Sequence, residues 1–285
     1  MRAAIRGTEL YFDIAGMQIA PAGNNYVEKP VIFLLHGGPG GDHLRYKRHT
    51  LELQEEAQLV FIDHRGCGRS KKTKKADYTL ENNIEDIEAL RKHLGLEKII
   101  LLGTSYGGIV AQGYAIRYPK HVAKLILVVT TASFRFLPEA LSILQQRGSP
   151  KQIAVATRAL TKGFKNSKEA SRYFDIMDNL YSVKAKKNKI PVYAKQKTDF
   201  AHEPFNQGFS DFLLTFDYIP KLKKIKCPTL ILAGNDDWIC PPSQSKIIAK
   251  HIPHAKLKIF KNCGHAIGID AHEKYIKEIK KFVRT

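Results

Sequence analysis

The sequence predicts an α/β fold: a mostly parallel sheet flanked by helices, with a helical segment inserted late in the chain. Three observations predict it. Short, nearly continuous apolar runs alternate with helical patterns. Glycine-rich turns fall directly after two of those runs, at 36–41 and 103–108. The alternation then stops between about 131 and 220, where helical patterns continue without matching strands.

The strands follow from runs too continuous for a sheet with one wet face, as expected when helices cover both faces. They are "VIFLLHG" (31–37), "LVFID" (59–63), "KIILLG" (98–103), "LILVV" (125–129), "TLILAG" (229–234) and "LKIF" (257–260). Leu80, Ile84, Ile87, Leu90 and Leu94 recur at helical spacing and predict an amphipathic helix over 79–94. A second helix is expected over 106–118. Ile276, Ile279 and Phe282 among lysines predict a closing one. The aromatic-rich stretch 131–220 contains "PEALSILQQ" and "EASRYFDIMDNLY" and reads as an inserted helical lid. Residues 1–130 and 221–285 then form one core.

Composition narrows the function classes. With 285 residues, 44% of them hydrophobic, the chain can bury a large core. The first residues lack the apolar run of a signal peptide, and no stretch approaches the roughly 18 apolar residues of a membrane span. A soluble, cytoplasmic protein is expected. Cys67, Cys227, Cys240 and Cys263 stand singly, which suggests neither disulfides nor a zinc site and fits a reducing compartment. His36, His43 and His49 have no carboxylate or cysteine at ligand spacing, so no metal is implied. The net charge of +19 would attract any polyanion, but its lysines are spread through 71–75, 184–189, 221–226 and 277–281 rather than gathered in one aromatic-laced stripe. Solvated faces are expected, with no specific nucleic-acid partner.

The chemistry is carried by "GTSYG", a G-x-S-x-G between a strand and a helix. A reversal that sharp strains the backbone of Ser105 and needs small residues at 103 and 107 so that strand and helix can approach. A serine nucleophile needs a histidine to take its proton and a carboxylate to orient that histidine. Asp237 in "GNDDWICPP" and His265 in "NCGHAIG" each follow a strand, in the required chain order. The neighbouring Asp236 is the rival acid. "HGGPGG" (36–41) offers bare backbone beside the site, and the expected oxyanion donors are the N–H groups of Gly38 and Tyr106. No cofactor is needed. An aspartate would be required at 105 for dehalogenase or epoxide hydrolase chemistry.

Together "HGGPGG", "DHRGCGRS" (63–70), "NNIEDIEALRKHLGL" (82–96), "GTSYGG", "GNDDWICPP" and "CGH" resemble the proline iminopeptidase group of α/β-hydrolases over about 30–130 and 221–285. The resemblance implies a serine hydrolase with a helical cap that releases an N-terminal residue, proline above all, from short peptides or amides. "DHRGCGRS" itself is expected to be structural, with Asp63 and Arg65 tying the loop beside the glycine run and Ser70 ending it. Family members hold the substrate ammonium with carboxylates from the cap and beside the triad acid. Here Trp238 follows Asp237, and the cap lacks a tryptophan–glutamate pair. Glu203, Asp199, Asp175 and Asp178 are left as candidates to hold the ammonium, with Phe134, Phe205, Phe209 and Trp238 as an apolar wall. Hydrolysis of small esters, lactones or amides is the alternative. A non-catalytic or polyanion-binding protein on the same fold is the alternative from another class.

Overall fold

The computed structural model describes residues 1–189, 192 and 200–285. Its strands are β1 (Arg2–Ile5), β2 (Thr8–Ala15), β3 (Ile19–Ala22), β4 (Asn25–Glu28), β5 (Val31–Leu35), β6 (Gln58–Ile62), β7 (Ile99–Thr104), β8 (Val122–Val128), β9 (Thr229–Gly234) and β10 (Lys256–Phe260). Among the described residues the main sheet runs β1-β2-β6-β5-β7-β8-β9-β10, and β3 and β4 form a separate hairpin. From β6 to β10 every pairing is parallel, while β1 and β2 add an antiparallel edge. The mostly parallel sheet agrees with the sequence. The antiparallel edge and the hairpin are additions: β1 is only four residues long, and β4 is exposed throughout, so neither leaves a long apolar run.

The continuous apolar runs are explained by two cores. Phe33, Leu35, Leu101, Leu125 and Leu127 pack with Ile84, Ile87, Leu90 and Val110 on one side. Their strand neighbours Ile32, Leu34, Ile100, Leu102 and Ile126 pack with Ile276, Ile279 and Phe282 on the other. Alternate residues point to opposite faces, and both faces are dry, so a buried strand has no polar side. Helix Leu80–His93 is capped by Thr79, whose hydroxyl accepts from the Asn82 N–H at 3.1 Å.

Between β8 and β9 the described residues hold five α-helices: Phe136–Arg147, Pro150–Lys162, Ser167–Tyr181, Val183–Asn188 and His202–Ser210. Side-chain caps start three of them, the shortest capped by Ser182. Ser149 and Gln152 form a reciprocal capping box, and the Asn166 side chain accepts from the Glu169 N–H at 2.9 Å. Among the contacts between the inserted segment and the core are two backbone hydrogen bonds near the carboxyl ends of the strands. The Ala201 N–H donates to the Gly40 carbonyl at 2.8 Å, and the Ala266 N–H donates to the Tyr181 carbonyl at 2.7 Å. A side chain at Gly40 would collide with Ala201 and the Phe200 ring, which is why that position carries none.

Candidate active site

Chain order turns at β5, which has β6 on one side and β7 on the other, so the crevice of an open α/β sheet falls above it. The glycine run leaves β5 there, and Ser105 leaves β7 beside it. Ser105 has φ +54° and ψ −119°, a conformation L-residues rarely adopt. Its N–H donates to the Val128 carbonyl at 2.9 Å, which fixes the turn to β8. The turn closes only because of two glycines. A Cβ at Gly107 would lie 2.1 Å from the Leu35 carbonyl oxygen, and one at Gly103 would lie 2.3 Å from that of Gly107.

Asp237 is 1% exposed. Its Oδ2 lies 2.7 Å from His265 Nδ1, and its Oδ1 accepts from the N–H groups of Ile239 and Cys240, both at 3.0 Å. The carboxylate is thereby satisfied without water, and His265 is left with Nε2 for the cavity it shares with Ser105. Asp236 takes a different place: its N–H donates to the Cys263 carbonyl, and its own carbonyl accepts from Arg147. Burial, followed by the charge of Asp237, pushes the Cys240 thiol well above its ordinary value, so that sulfur stays protonated beside the site.

Gly37, Gly38 and Gly41 line the same cavity. The Tyr106 N–H opens helix Tyr106–Arg117 and is one of the four without an intrahelical acceptor. The Tyr106 phenol is buried and accepts from Asn83 Nδ2 at 2.8 Å. The glycine run is braced from below by "DHRGCGRS". Asp63 Oδ1 accepts from both the backbone N–H and the ring of His43 at 2.8 and 2.9 Å, and its Oδ2 accepts from the Arg69 N–H. Burial opposes ionisation of Asp63, but the His43 hydrogen bond and the nearby imidazoles hold its pKa below the usual value. Arg65 grips Asp86 with two hydrogen bonds of 2.8 and 2.6 Å. The Ser70 hydroxyl donates to the Asp63 carbonyl. His43 thus has a carboxylate partner that sequence spacing did not show.

Two cavities meet at His265. The smaller, about 80 Å³, holds Ser105 against Leu160, Tyr173, Phe174, Tyr181, Phe205 and Phe209. The larger, about 310 Å³, is lined by Arg45, Arg48, His49, Phe174, Asp175 and His265 among others. Tyr46 lines both. A methyl group on Gly37 would lie 2.5 Å from the Tyr46 hydroxyl and 3.1 Å from Ser105 Cβ, so the phenol stands close to Ser105. Burial raises its pKa, which keeps it a neutral hydroxyl.

The residues expected to meet substrate divide. Phe205 and Phe209 line the smaller cavity. Glu203 is exposed and lines neither cavity, because it sits two residues from Phe205, on the opposite face of the same helix. Trp238 is 1% exposed, packed edge-on to Tyr181 at 5.7 Å rather than facing a cavity, and Phe134 is likewise absent from both walls. Asp175 is exposed where the larger cavity opens, and Asp178 accepts from the Val192 N–H. Asp199 lies outside the described residues. Arg45, Tyr46, Tyr173, Phe174 and Tyr181 were not singled out from sequence. "HLRYKRHT", directly after the glycine run, was the available signal for the first two.

The model of the α/β hydrolase fold matches residues 30–271. A proline iminopeptidase of Pestalotiopsis fici, PfmaB, is 33% identical over 282 residues, covering 97% of this chain and 96% of that protein. The proline iminopeptidase of Lactobacillus crispatus is 30% identical over 288 residues, covering 97% and 95%. The crystal structure of a proline iminopeptidase from Mycobacterium smegmatis superposes with a TM-score of 0.73 at 19% identity, covering the whole of this chain and 97% of that one, which shows the shared fold. With a serine on a strained turn, a histidine held by a buried aspartate, and relatives matched over nearly their full length, this chain belongs to the proline iminopeptidase family of α/β-hydrolases.

Proposed function

We propose that this hydrolase works through an acyl-enzyme on Ser105 and releases the N-terminal residue of short peptides or amides, as its relatives' names indicate for them. Ser105 Oγ attacks the scissile carbonyl while His265 Nε2 takes its proton, and Asp237 stabilises the imidazolium and holds its tautomer. The N–H groups of Gly38 and Tyr106 receive the oxyanion. On collapse the C–N bond breaks and His265 returns the proton to the leaving nitrogen. Water then repeats the sequence on the ester. The helices of 131–220 act as the cap over the core formed by 1–130 and 221–285. The observation that carries this reading is Ser105, at φ +54°, sharing one aromatic cavity with a histidine whose other nitrogen is bound by a buried carboxylate.

Among the described residues no carboxylate lines the smaller cavity. The rings of Tyr173, Phe174 and Tyr181 surround the acyl position instead, and an N-terminal proline, an apolar ring bearing a cation, is suited to aromatic faces. The same observation favours a second reading, an esterase, lactonase or amidase acting on small acyl groups without a free amine.

Prolyl and alanyl arylamides, their N-acetyl forms and short p-nitrophenyl esters separate the two readings by kcat/KM. An aminopeptidase should prefer the free amine over its N-acetyl form by about tenfold or more, the equivalent of roughly 1.4 kcal/mol. Turnover of esters alone, or indifference to acetylation, leaves the esterase or amidase reading standing.

A further inference from the structure

The larger cavity has a charged wall that the steps above do not use. His265 lines both cavities, but Ser105 lines only the smaller one. The histidine that protonates the leaving nitrogen must have the leaving group on its own side, and the acyl group must sit with the nucleophile. The aromatic cavity therefore takes the acyl residue, and the larger cavity takes what departs.

Arg45 lines both cavities, and its guanidinium is stacked 5.0 Å over Phe174 and 5.8 Å over Phe200. Stacking uses the face of the guanidinium, whereas a carboxylate is bound through its N–H edge, so the two contacts are compatible. Arg48, further out and exposed, is held by its Nε donating to His49 Nε2 at 2.8 Å and an Nη donating to the Val192 carbonyl at 3.0 Å. Burial and the charge of Arg48 push the His49 pKa down to about 4, so His49 is neutral near pH 7. Among the described residues of this wall two guanidiniums stand with one carboxylate, that of Asp175, so the balance of their charges is positive.

Building on the aminopeptidase reading, we propose that the larger cavity is the leaving-group subsite and that Arg45, with Arg48 at its mouth, receives the free C-terminal carboxylate of the departing amino acid or peptide. Short peptides ending in a free carboxylate are then better substrates than their amides. The carboxylate is unchanged by the reaction: the acyl C–N bond breaks, the proton from His265 goes to the nitrogen, and the product leaves as a free amino acid or shortened peptide. Arg45 is a specificity residue here, reached by a dipeptide, with Arg48 placed for longer leaving groups.

The test compares prolylglycine with prolylglycinamide, and alanylglycine with alanylglycinamide, by kcat/KM on the full chain. The free acid should be favoured by about tenfold or more, as for a charge-assisted pair, and the preference should collapse toward unity in Arg45→Gln. A ratio at or below one in the unsubstituted enzyme overturns the proposal, as does a preference that survives in the Arg45→Gln, Arg48→Gln double variant. The first ratio needs no variant, so it stands even if Arg45→Gln fails to fold. Should no peptide be cleaved, the aminopeptidase reading has failed. Glycolate and glycolamide esters of one acyl group then read the subsite: preference for the glycolate ester supports it, and equal rates refute it.

Discussion

Asp237 and Asp236 are neighbours with the same chemistry, and their surroundings separate them. Asp237 is fully buried, with Oδ2 on His265 and Oδ1 on two backbone N–H groups, while Asp236 is half-buried and points its backbone elsewhere. Asp237→Asn replaces an acceptor by a group that favours the wrong imidazole tautomer, and should lower kcat by roughly 10⁴. Asp236→Asn should leave it within about twofold, as for a substitution outside the reacting group. Ser105→Ala and His265→Ala should each lower turnover by roughly 10⁴ to 10⁶ with an unchanged circular dichroism spectrum. A Ser105→Ala enzyme retaining most of its activity would sink the assignment.

At the scale of elements, helix Leu80–His93 is joined to helix Tyr106–Arg117 by a buried charge as well as by apolar packing. Glu88 accepts from Arg91 Nε and Nη2 at 2.9 and 2.7 Å and from the Tyr114 hydroxyl at 2.7 Å. Burial would raise the Glu88 pKa, but the bonds from Arg91 and Tyr114 outweigh it and bring it down to about 2. A carboxylate whose folded pKa is depressed stabilises the fold at pH values above its unfolded pKa, near 4.3, and loses that stabilisation as pH falls through the folded value. Glu88→Gln should therefore cost on the order of 3 kcal/mol near neutrality, since it removes the carboxylate partner of a buried arginine that keeps only the Leu96 and Glu97 carbonyls. Denaturant titrations of both proteins should show this difference constant above pH 5 to 6 and shrinking between about 4.3 and 2. A difference independent of pH over that range would show that Glu88 acts through packing rather than charge.

At the scale of the whole molecule, the net charge of +19 comes from lysines spread along the sequence rather than gathered in one stretch. The lysines of 71–75, 184–189 and 221–226 are exposed on separate parts of the chain, and among the described residues no helix is long and apolar enough to cross a membrane. Retention on immobilised DNA should be indifferent to sequence and lost by about 0.2 M salt, because a phosphate-driven contact weakens steeply as counterions are added. Tight, sequence-selective retention at that salt would reveal a dedicated partner.

The sequence by itself determined the parallel part of the sheet and named the serine, histidine and aspartate of the proposed site. Strands dry on both faces must be written as apolar runs, and a nucleophile on a strained turn must be flanked by small residues, as Gly103 and Gly107 are. Both demands are local, so they are visible locally. The edge strands β1 and β2 were not legible as continuous apolar runs, because alternate residues of each are wet, and β2 joins the sheet through β6, far along the chain. Only the tertiary structure decided which side chains line the cavity beside Ser105. Tyr46, Tyr173, Phe174, Tyr181 and Phe205 come from distant parts of the chain to one cavity, while Glu203, on the opposite face of the helix that supplies Phe205, turns to solvent. The face a residue shows depends on what its element packs against, and that is set by the assembled fold.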